Sequence, residues 1–377
     1  MNVGILVPNI GNFGKNDYYS RQEIGLGRAL ARVGENVHVI NMDPDPASTY
    51  DCRAVAPGVV ESRVKCIAIG SHAIFSPKFL DAYNFERLIM FSDIQVSVPA
   101  VARWARHKNI EFMPYIGTVR SNKRNRGYLS TWSIGRNLKV YKAVTCLAKT
   151  QSVVEDLSAL GVKRVKLMPV GFDGENLRQM MQVDKSLARK ELNLEERAVV
   201  IAFVGQLTEY KNPLAFVDAF AEVCKDVPAQ AVVVGDGKLL TQFTERVASL
   251  GLSSRVKHIP SLLNSEMWKV YRSADLLINT NTNEIYGMCI LEAMCLGCPV
   301  VAFEAPGPLQ IITDNIDGRL VHGKDPIKLG RAALEALPLR NIFSERAIRR
   351  ISDSLTWDAT CRVLYDPPAS ANGSGEN

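Results

Sequence analysis

Ala198-Val199-Val200-Ile201-Ala202-Phe203-Val204 is an uninterrupted apolar run that ends on Gly205 and follows the charged stretch Lys190-Glu191-Leu192-Asn193-Leu194-Glu195-Glu196-Arg197. Short, rich in Val and Ile, and closed by glycine, it reads as a strand buried on both faces. Downstream, similar runs recur at Ala229 to Val234, Val256 to Ile259, Leu276 to Ile278, Pro299 to Ala302 and Gly318 to Val321. Upstream they stand at Val3 to Pro8, Asn36 to Ile40, Val64 to Ile69, Arg87 to Phe91, Glu111 to Tyr115 and Ala143 to Leu147, with a closing strand within Lys163 to Asp173. Amphipathic stretches of helical period fill the gaps, and strands alternating with helices imply parallel sheets covered on both faces.

The fold class is therefore α/β, with two tandem Rossmann-like domains expected to face each other across a cleft. The first spans residues 1–175, the second 198–352, and the charged segment 176–197 is read as the linker. The tail 367–377, rich in Pro, Ser, Gly and Asn, is expected to be disordered.

A chain of 377 residues is long enough for two cores. Its 47% hydrophobic and 22% charged residues exclude wholesale disorder and a membrane-embedded body. No apolar stretch reaches the roughly 20 residues that span a bilayer. Met1 to Pro8 lacks a basic leader and reads as the first core strand. The eight cysteines stand in apolar contexts such as Ala143-Val144-Thr145-Cys146-Leu147, the pattern of buried free thiols, which points to the cytoplasm.

The net charge of +6 is uneven: Arg103, Arg106, Lys108, Arg120, Lys123, Arg124 and Arg126 face the single acid Glu111. Such a face suits an anionic partner, or is simply solvated surface. Nucleic acid is not expected, because no aromatic-interleaved basic motif accompanies it. A peripheral contact with anionic lipid on the inner face of the membrane remains open.

The chemistry concentrates in Asn283-Glu284-Ile285-Tyr286-Gly287-Met288-Cys289-Ile290-Leu291-Glu292-Ala293-Met294, which follows the strand at Leu276 and turns into a helix near Gly287. A glycine at a helix start lets unpaired N–H groups approach an anion such as a diphosphate. Glu292, five residues on, lies roughly 7 Å along the axis, a plausible phosphate-to-ribose distance. Glu284 would face the sugar side of the same ligand. On spacing alone, two glutamates at a helix start fit dipole complementarity and solvation equally well.

With its surroundings the stretch resembles the retaining glycosyltransferases of family four, which share the GT-B fold. The resemblance runs through Phe203-Val204-Gly205-Gln206-Leu207 with Lys211, Val233-Val234-Gly235-Asp236-Gly237, Tyr271-Arg272-Ser273-Ala274-Asp275, the two glutamates, Ala293 to Ala302, Gly307, Gly318 and Leu355-Thr356-Trp357-Asp358. It implies that Lys211 pairs with the donor diphosphate, that Glu292 binds the ribose, that Gly287 and Met288 offer backbone donors to the distal phosphate, and that Glu284 touches the transferred sugar. Glu284 and Lys211 are the catalytic candidates. Gly205, Gln206, Gly235, Ser261 and Tyr286 complete the donor set, Ser261 beside the nucleobase. Gln206 stands where relatives commonly have a second cation, a role that Arg21 could fill. Lysine stabilises a leaving diphosphate without a metal, and neither metal nor cofactor is expected beyond the nucleotide-sugar co-substrate.

On the acceptor side the resemblance points to the loop Gly11, Asn12, Phe13 and Gly14, before a helix near Tyr18, and to Tyr115 and Gly117, where relatives often carry a histidine. The basic loop from Arg120 to Arg126 is a further acceptor or membrane candidate. In the resembled fold a terminal helix, here 353–366, crosses back to the first domain, with Trp357 as a packing anchor. Asp43-Pro44-Asp45 reads as a turn, and Cys295-Leu296-Gly297-Cys298 as packed thiols rather than a metal site.

The expected function is retaining transfer of a hexose or related sugar from a nucleotide diphosphate sugar to a glycan or lipid-linked acceptor, in polysaccharide or glycoconjugate biosynthesis. Two alternatives stand beside it. A nucleotide-sugar epimerase of the same architecture would need catalytic acids and a histidine set that are not found. A noncatalytic nucleotide-sugar-binding module would bind a donor without turning it over.

Overall fold

Val3, Ile5 and Leu6 are fully buried, so the first apolar run does seed a core. The computed structural model describes residues 1–10, 21–92, 94–119, 128–173 and 181–366. Its strands are Asn2–Val7 (β1), Asn36–Asp43 (β2), Tyr50–Ala56 (β3), Val59–Lys65 (β4), Ile67–Ile69 (β5), His72–Ile74 (β6), Arg87–Phe91 (β7), Glu111–Ile116 (β8), Cys146–Ala148 (β9), Val165–Leu167 (β10), Val199–Val204 (β11), Ala229–Val234 (β12), Val256–Ile259 (β13), Leu276–Asn279 (β14), Val300–Phe303 (β15) and Gly318–Val321 (β16).

The chain divides into two units. The first comprises Met1–Ile10, Glu23–Gly171 and the segment from Trp357; Phe172–Thr356 lies in the second. The first unit holds an eight-stranded sheet of order β10-β9-β8-β7-β1-β2-β4-β3, parallel except for the β3–β4 pair. Helices Gln22–Arg32, Val98–His107, Tyr128–Tyr141 and Gln151–Ala159 connect its strands. Leu6, Met90, Trp104 and Phe112 share one of its cores. In the second unit all six strands are parallel, in the order β13-β12-β11-β14-β15-β16, over a core containing Phe203, Phe216, Phe220, Phe243 and Phe303. From β11 the chain winds outward through β12 and β13, then returns to place β14 on the other side of β11. Ligands of open α/β sheets bind at such a reversal, outside the carboxyl ends of the strands.

Several expectations need correction. The strand expected over Val64 to Ile69 is two elements: β4 ends at Lys65, and β5 forms a separate antiparallel pair with β6. The β3–β4 hairpin was not foreseen, because β3 is largely exposed and β4 carries Glu61 and Ser62 among its apolar residues. Glu61 is nonetheless buried, accepting from Asn41 Nδ2 and Arg53 Nε, each at 2.9 Å. Tyr18 lies outside the described residues, and the first helix is described from Gln22. Cys52 is exposed, unlike the buried Cys66, Cys146, Cys295, Cys298 and Cys361.

The segment read as a linker is in part structural. Helix Lys185–Glu191 docks on the second unit through Asp275, which takes Lys185 Nζ at 2.7 Å, Arg189 Nη2 at 2.8 Å and the Val200 amide at 2.8 Å. At the other end, the return to the first unit comes at Trp357 rather than 353. Trp357 is 2% exposed and meets Tyr115 edge-on at 6.4 Å. Asp358 takes Arg32 through two hydrogen bonds of 2.7 and 2.8 Å, and Lys166 Nζ donates to the Val363 carbonyl at 2.8 Å. Asp43 and Asp45 form a turn, in which Asp45 caps the short helix Pro46–Ser48.

Candidate active site

The carboxyl ends of β11, β12 and β14 gather most of the residues singled out in the second domain. Gly235, just after β12, is required by close approach: a Cβ there would sit 1.9 Å from the Gly205 carbonyl oxygen. The two glycine turns therefore pack backbone against backbone. Beyond Gly205, the chain reaches Lys211 and Asn212, and Pro213 opens the helix Pro213–Asp226. Thr280 Oγ1 reaches the carbonyls of Lys211 (2.8 Å) and Asn212 (2.9 Å), fastening this turn to the end of β14.

After β14 the chain proceeds by two side-chain turns. Asn279 Oδ1 accepts the Asn281 amide at 3.1 Å, and Asn281 Oδ1 accepts the Asn283 amide at 2.9 Å. These deliver Glu284 to Lys211, whose Nζ lies 2.6 Å from Glu284 Oε2. Asn281 Nδ2 donates to the same oxygen at 3.1 Å. Tyr210 OH holds the Asn283 carbonyl at 2.9 Å. Burial alone would lower the Lys211 pKa, but the Glu284 charge and smaller contributions from Cys289 and Tyr210 outweigh it, and the ammonium is held above its usual value.

Gly287 caps the helix Met288–Cys295 at φ 98°, a left-handed conformation that glycine adopts without penalty. The first N–H groups of a helix have no carbonyl four residues back, and together with the axial dipole they attract an anion. Glu292 is deep in the same helix. Tyr271 OH donates to its Oε2 at 2.7 Å. Burial pushes the Glu292 carboxyl up to about 7 against the opposing effect of that hydrogen bond. Burial also drives the Cys289 thiol to about 12, so it is protonated at neutral pH. Beside this helix start a cation and a carboxylate are thus paired, and a second carboxyl with a value near 7 lies further along the helix. Such a set can hold an anion at the backbone and exchange a carboxylate's partner for a phosphate.

The structure brings together Lys211, Glu284, Gly287 and Met288, with Glu292 further along that helix, and Gly205 with Gly235. Gln206 and Ser261 are exposed beyond β11 and β13. Tyr286 is 5% exposed, and its carbonyl would touch any Cβ at Gly307, so packing claims much of it. Tyr115 requires a correction: its side chain is fully buried between Phe91 and Trp357, so its ring does not face an acceptor. Gly117 is buried immediately after β8. Gly11, Asn12, Phe13, Gly14 and the loop Arg120 to Arg126 lie outside the described residues. Asn281 and Tyr271 hold the two glutamates yet were not foreseen as doing so. The Asn279-Thr280-Asn281-Thr282-Asn283 run, dense in turn-forming side chains, was the available signal for the first. Among the described residues no group of three or more His, Cys, Asp or Glu could hold a metal ion.

The profile of the family described as Glycosyl transferases group 1 matches residues 184–350, which contain Lys211, Glu284, Gly287 and Glu292. A D-inositol 3-phosphate glycosyltransferase of Salinispora tropica is 34% identical over 192 residues, 48% of this chain and 40% of that protein. An uncharacterized glycosyltransferase of Methanocaldococcus jannaschii is 23% identical over 353 residues, 89% of each. The chain spans less than half the length of the first curated relatives it matches. Among solved structures, sucrose-phosphate synthase from Thermosynechococcus elongatus superposes with a TM-score of 0.75 at 19% identity, covering 97% of this chain and 98% of that one. HepE of Anabaena, solved in complex with UDP, gives 0.74 at 17%, with the same coverage. The architecture is the GT-B fold, two Rossmann-like units in one chain. Within that class, residues 184–350 resemble the group 1 glycosyltransferases.

Proposed function

We propose that this protein transfers a hexose or related sugar, with retention of anomeric configuration, from a nucleoside diphosphate sugar to a glycan, glycolipid or other acceptor. The observation that carries the reading is the Lys211–Glu284 pair, 2.6 Å apart, beside the glycine-capped helix that also bears Glu292. In this reading the diphosphate lies at the start of helix Met288–Cys295, and Lys211 turns from Glu284 to the phosphate oxygens. Charge that develops on the departing nucleoside diphosphate then meets a fixed cation and helix N–H groups already in place. Glu284, released from Lys211, orients the hydroxyls of the transferred sugar, and Glu292 accepts the ribose hydroxyls alongside Tyr271. The first unit takes the acceptor, and the enzyme acts in glycoconjugate biosynthesis in the cytoplasm. UDP complexes among similar folds support the donor class, and a glycosyltransferase among the relatives supports the transfer. Among the described residues no helix is long and apolar enough to cross a membrane.

The test is a panel of UDP-, GDP- and ADP-sugars, followed by thermal stabilisation and by nucleoside diphosphate release with and without glycan and lipid acceptors. One nucleotide class should stabilise the protein and show acceptor-dependent release. Stabilisation with no release across a broad acceptor panel would favour a binding module, and no stabilisation by any donor would overturn the assignment.

A further inference from the structure

At the amino-terminal end of β8, helices Val98–His107 and Tyr128–Tyr141 flank a cavity of about 720 Å³ over the start of β8 and the approach to β9. At roughly 3.3 Å per residue, the length of β8 separates this end from its carboxyl end by roughly 20 Å. Each helix contributes two cations one turn apart, Arg103 with Arg106 and Arg136 with Lys139, and all four line the cavity. All four are exposed, and among the described residues none is in an ion pair. The one acid in the wall, Glu111, is already held by Arg87 Nε at 2.7 Å. The same lining includes half-buried apolar residues, Ile110, Val140 and Val144 among them. Beside Arg136, Trp132 is 44% exposed, with the guanidinium 4.3 Å over its ring.

Like charges on two helices repel one another unless an anion sits among them. Half-buried apolar residues in a wall that carries four cations outside any ion pair also differ from an ordinary solvated basic face, since they leave hydrocarbon to be covered. We infer that this cavity binds a phosphate ester bearing an apolar substituent, its phosphate between the Arg103–Arg106 and Arg136–Lys139 pairs and its apolar part against Ile110, Val140 and Val144. Arginine pairs supply the bidentate geometry that phosphate oxygens take best. The inference does not rest on the transferase reading, since none of these residues belongs to the second unit. The same chemistry is presented by an anionic lipid headgroup or by a soluble phosphate monoester.

The experiment titrates the full chain calorimetrically with hexyl phosphate, inorganic phosphate and hexanol, and measures co-sedimentation with phosphatidylcholine vesicles with and without phosphatidylglycerol. Hexyl phosphate should bind at one site, at least tenfold tighter than inorganic phosphate, while hexanol should not bind measurably. R106E/R136E should weaken hexyl phosphate at least tenfold, and R106Q/R136Q, which retains size without reversing charge, should weaken it by a smaller factor. K324E/K328E, the same charge change on exposed residues of the second unit, should leave it unchanged. Phosphatidylglycerol-dependent sedimentation lost in R106E/R136E identifies a lipid headgroup as the source. Retained hexyl phosphate binding without sedimentation identifies a soluble ester. Binding that survives both arginine variants, that is lost equally in K324E/K328E, or that is no tighter for hexyl phosphate than for inorganic phosphate, overturns the inference.

Discussion

Lys211 and Glu284 come from turns after different strands, 73 residues apart in sequence, yet their charged groups meet at 2.6 Å, with the Glu284 side chain only 7% exposed. The pair is a structural bond and, in the proposed function, also the source of charge that meets the donor. Removing one partner of a buried pair leaves the other charge unsatisfied, whereas replacing both avoids that penalty.

The two roles separate by mutation. Lys211→Ala should lower stability by about 2–3 kcal/mol, because Glu284 keeps only Asn281. Adding Glu284→Gln should restore most of that stability but none of the donor affinity, which both variants should lose by at least about tenfold. Denaturant unfolding and donor titration on the two variants check this. Donor affinity unchanged in both would remove Lys211 from the site.

Asp275 argues a purely structural case. Its carboxylate takes Lys185, Arg189 and the Val200 amide, fastening helix Lys185–Glu191 to β11. Asp275→Asn leaves Arg189, 8% exposed in its side chain, without its charged partner. Stability should fall by about 3 kcal/mol, while donor affinity, measured below the unfolding transition, should stay within about twofold. A comparable loss of affinity would place Asp275 in the ligand site instead.

How much of this was legible follows from the kind of signal each element carries. β11, β12, β14 and β15 were readable because both faces are buried, which leaves unbroken apolar runs such as Val199 to Val204. The β3–β4 hairpin was not, since β3 is a polar edge strand and β4 buries Glu61 inside an ion pair that sequence does not announce. That Lys211, Glu284 and Gly287 come together, with Glu292 further along the same helix, was expected from the helix start and the family resemblance, and the structure does group them. Their supporting partners Tyr271 and Asn281 were not expected, because those hydrogen bonds depend on three-dimensional packing. Tyr115 was misread for the converse reason. A residue at the end of a strand can serve a ligand or a core, and Trp357, 242 positions away in sequence, decides for the core.

Gly235→Ala tests the backbone contact beneath the site. A Cβ placed 1.9 Å from the Gly205 oxygen must push the β11 turn outward, and φ at Gly235 is 148°. Overpacking of this kind costs about 1–3 kcal/mol. Since the displaced turn leads to Lys211, donor affinity should fall by more than about tenfold as well, whereas Gly251→Ala, at an open turn with φ 68°, should cost stability alone. Equal effects of the two substitutions on affinity would show that the Gly205–Gly235 contact does not position the site.

The buried Glu292 makes a prediction about pH. Its folded value of about 7 lies above the ordinary 4.5, with burial as the cause. Below pH 4.5 the carboxyl is protonated in both the folded and unfolded states and contributes no pH dependence. Between 4.5 and 7 the unfolded chain releases the proton first, so stability falls as pH rises, and above 7 the full penalty of about 3 kcal/mol is present. Glu292→Gln should remove that slope, seen as a flatter dependence of the unfolding free energy between pH 5 and about 7.5. Ligand binding should run the other way. Ribose hydroxyls donate best to the charged carboxylate, so an intact nucleoside diphosphate sugar, whose phosphates do not titrate in this range, should bind more tightly as pH rises from about 6 to 8. The glutamine variant should bind it more weakly and with no such rise. A pH-dependent affinity persisting unchanged in Glu292→Gln would assign the titration to another group and take Glu292 out of contact with the ribose.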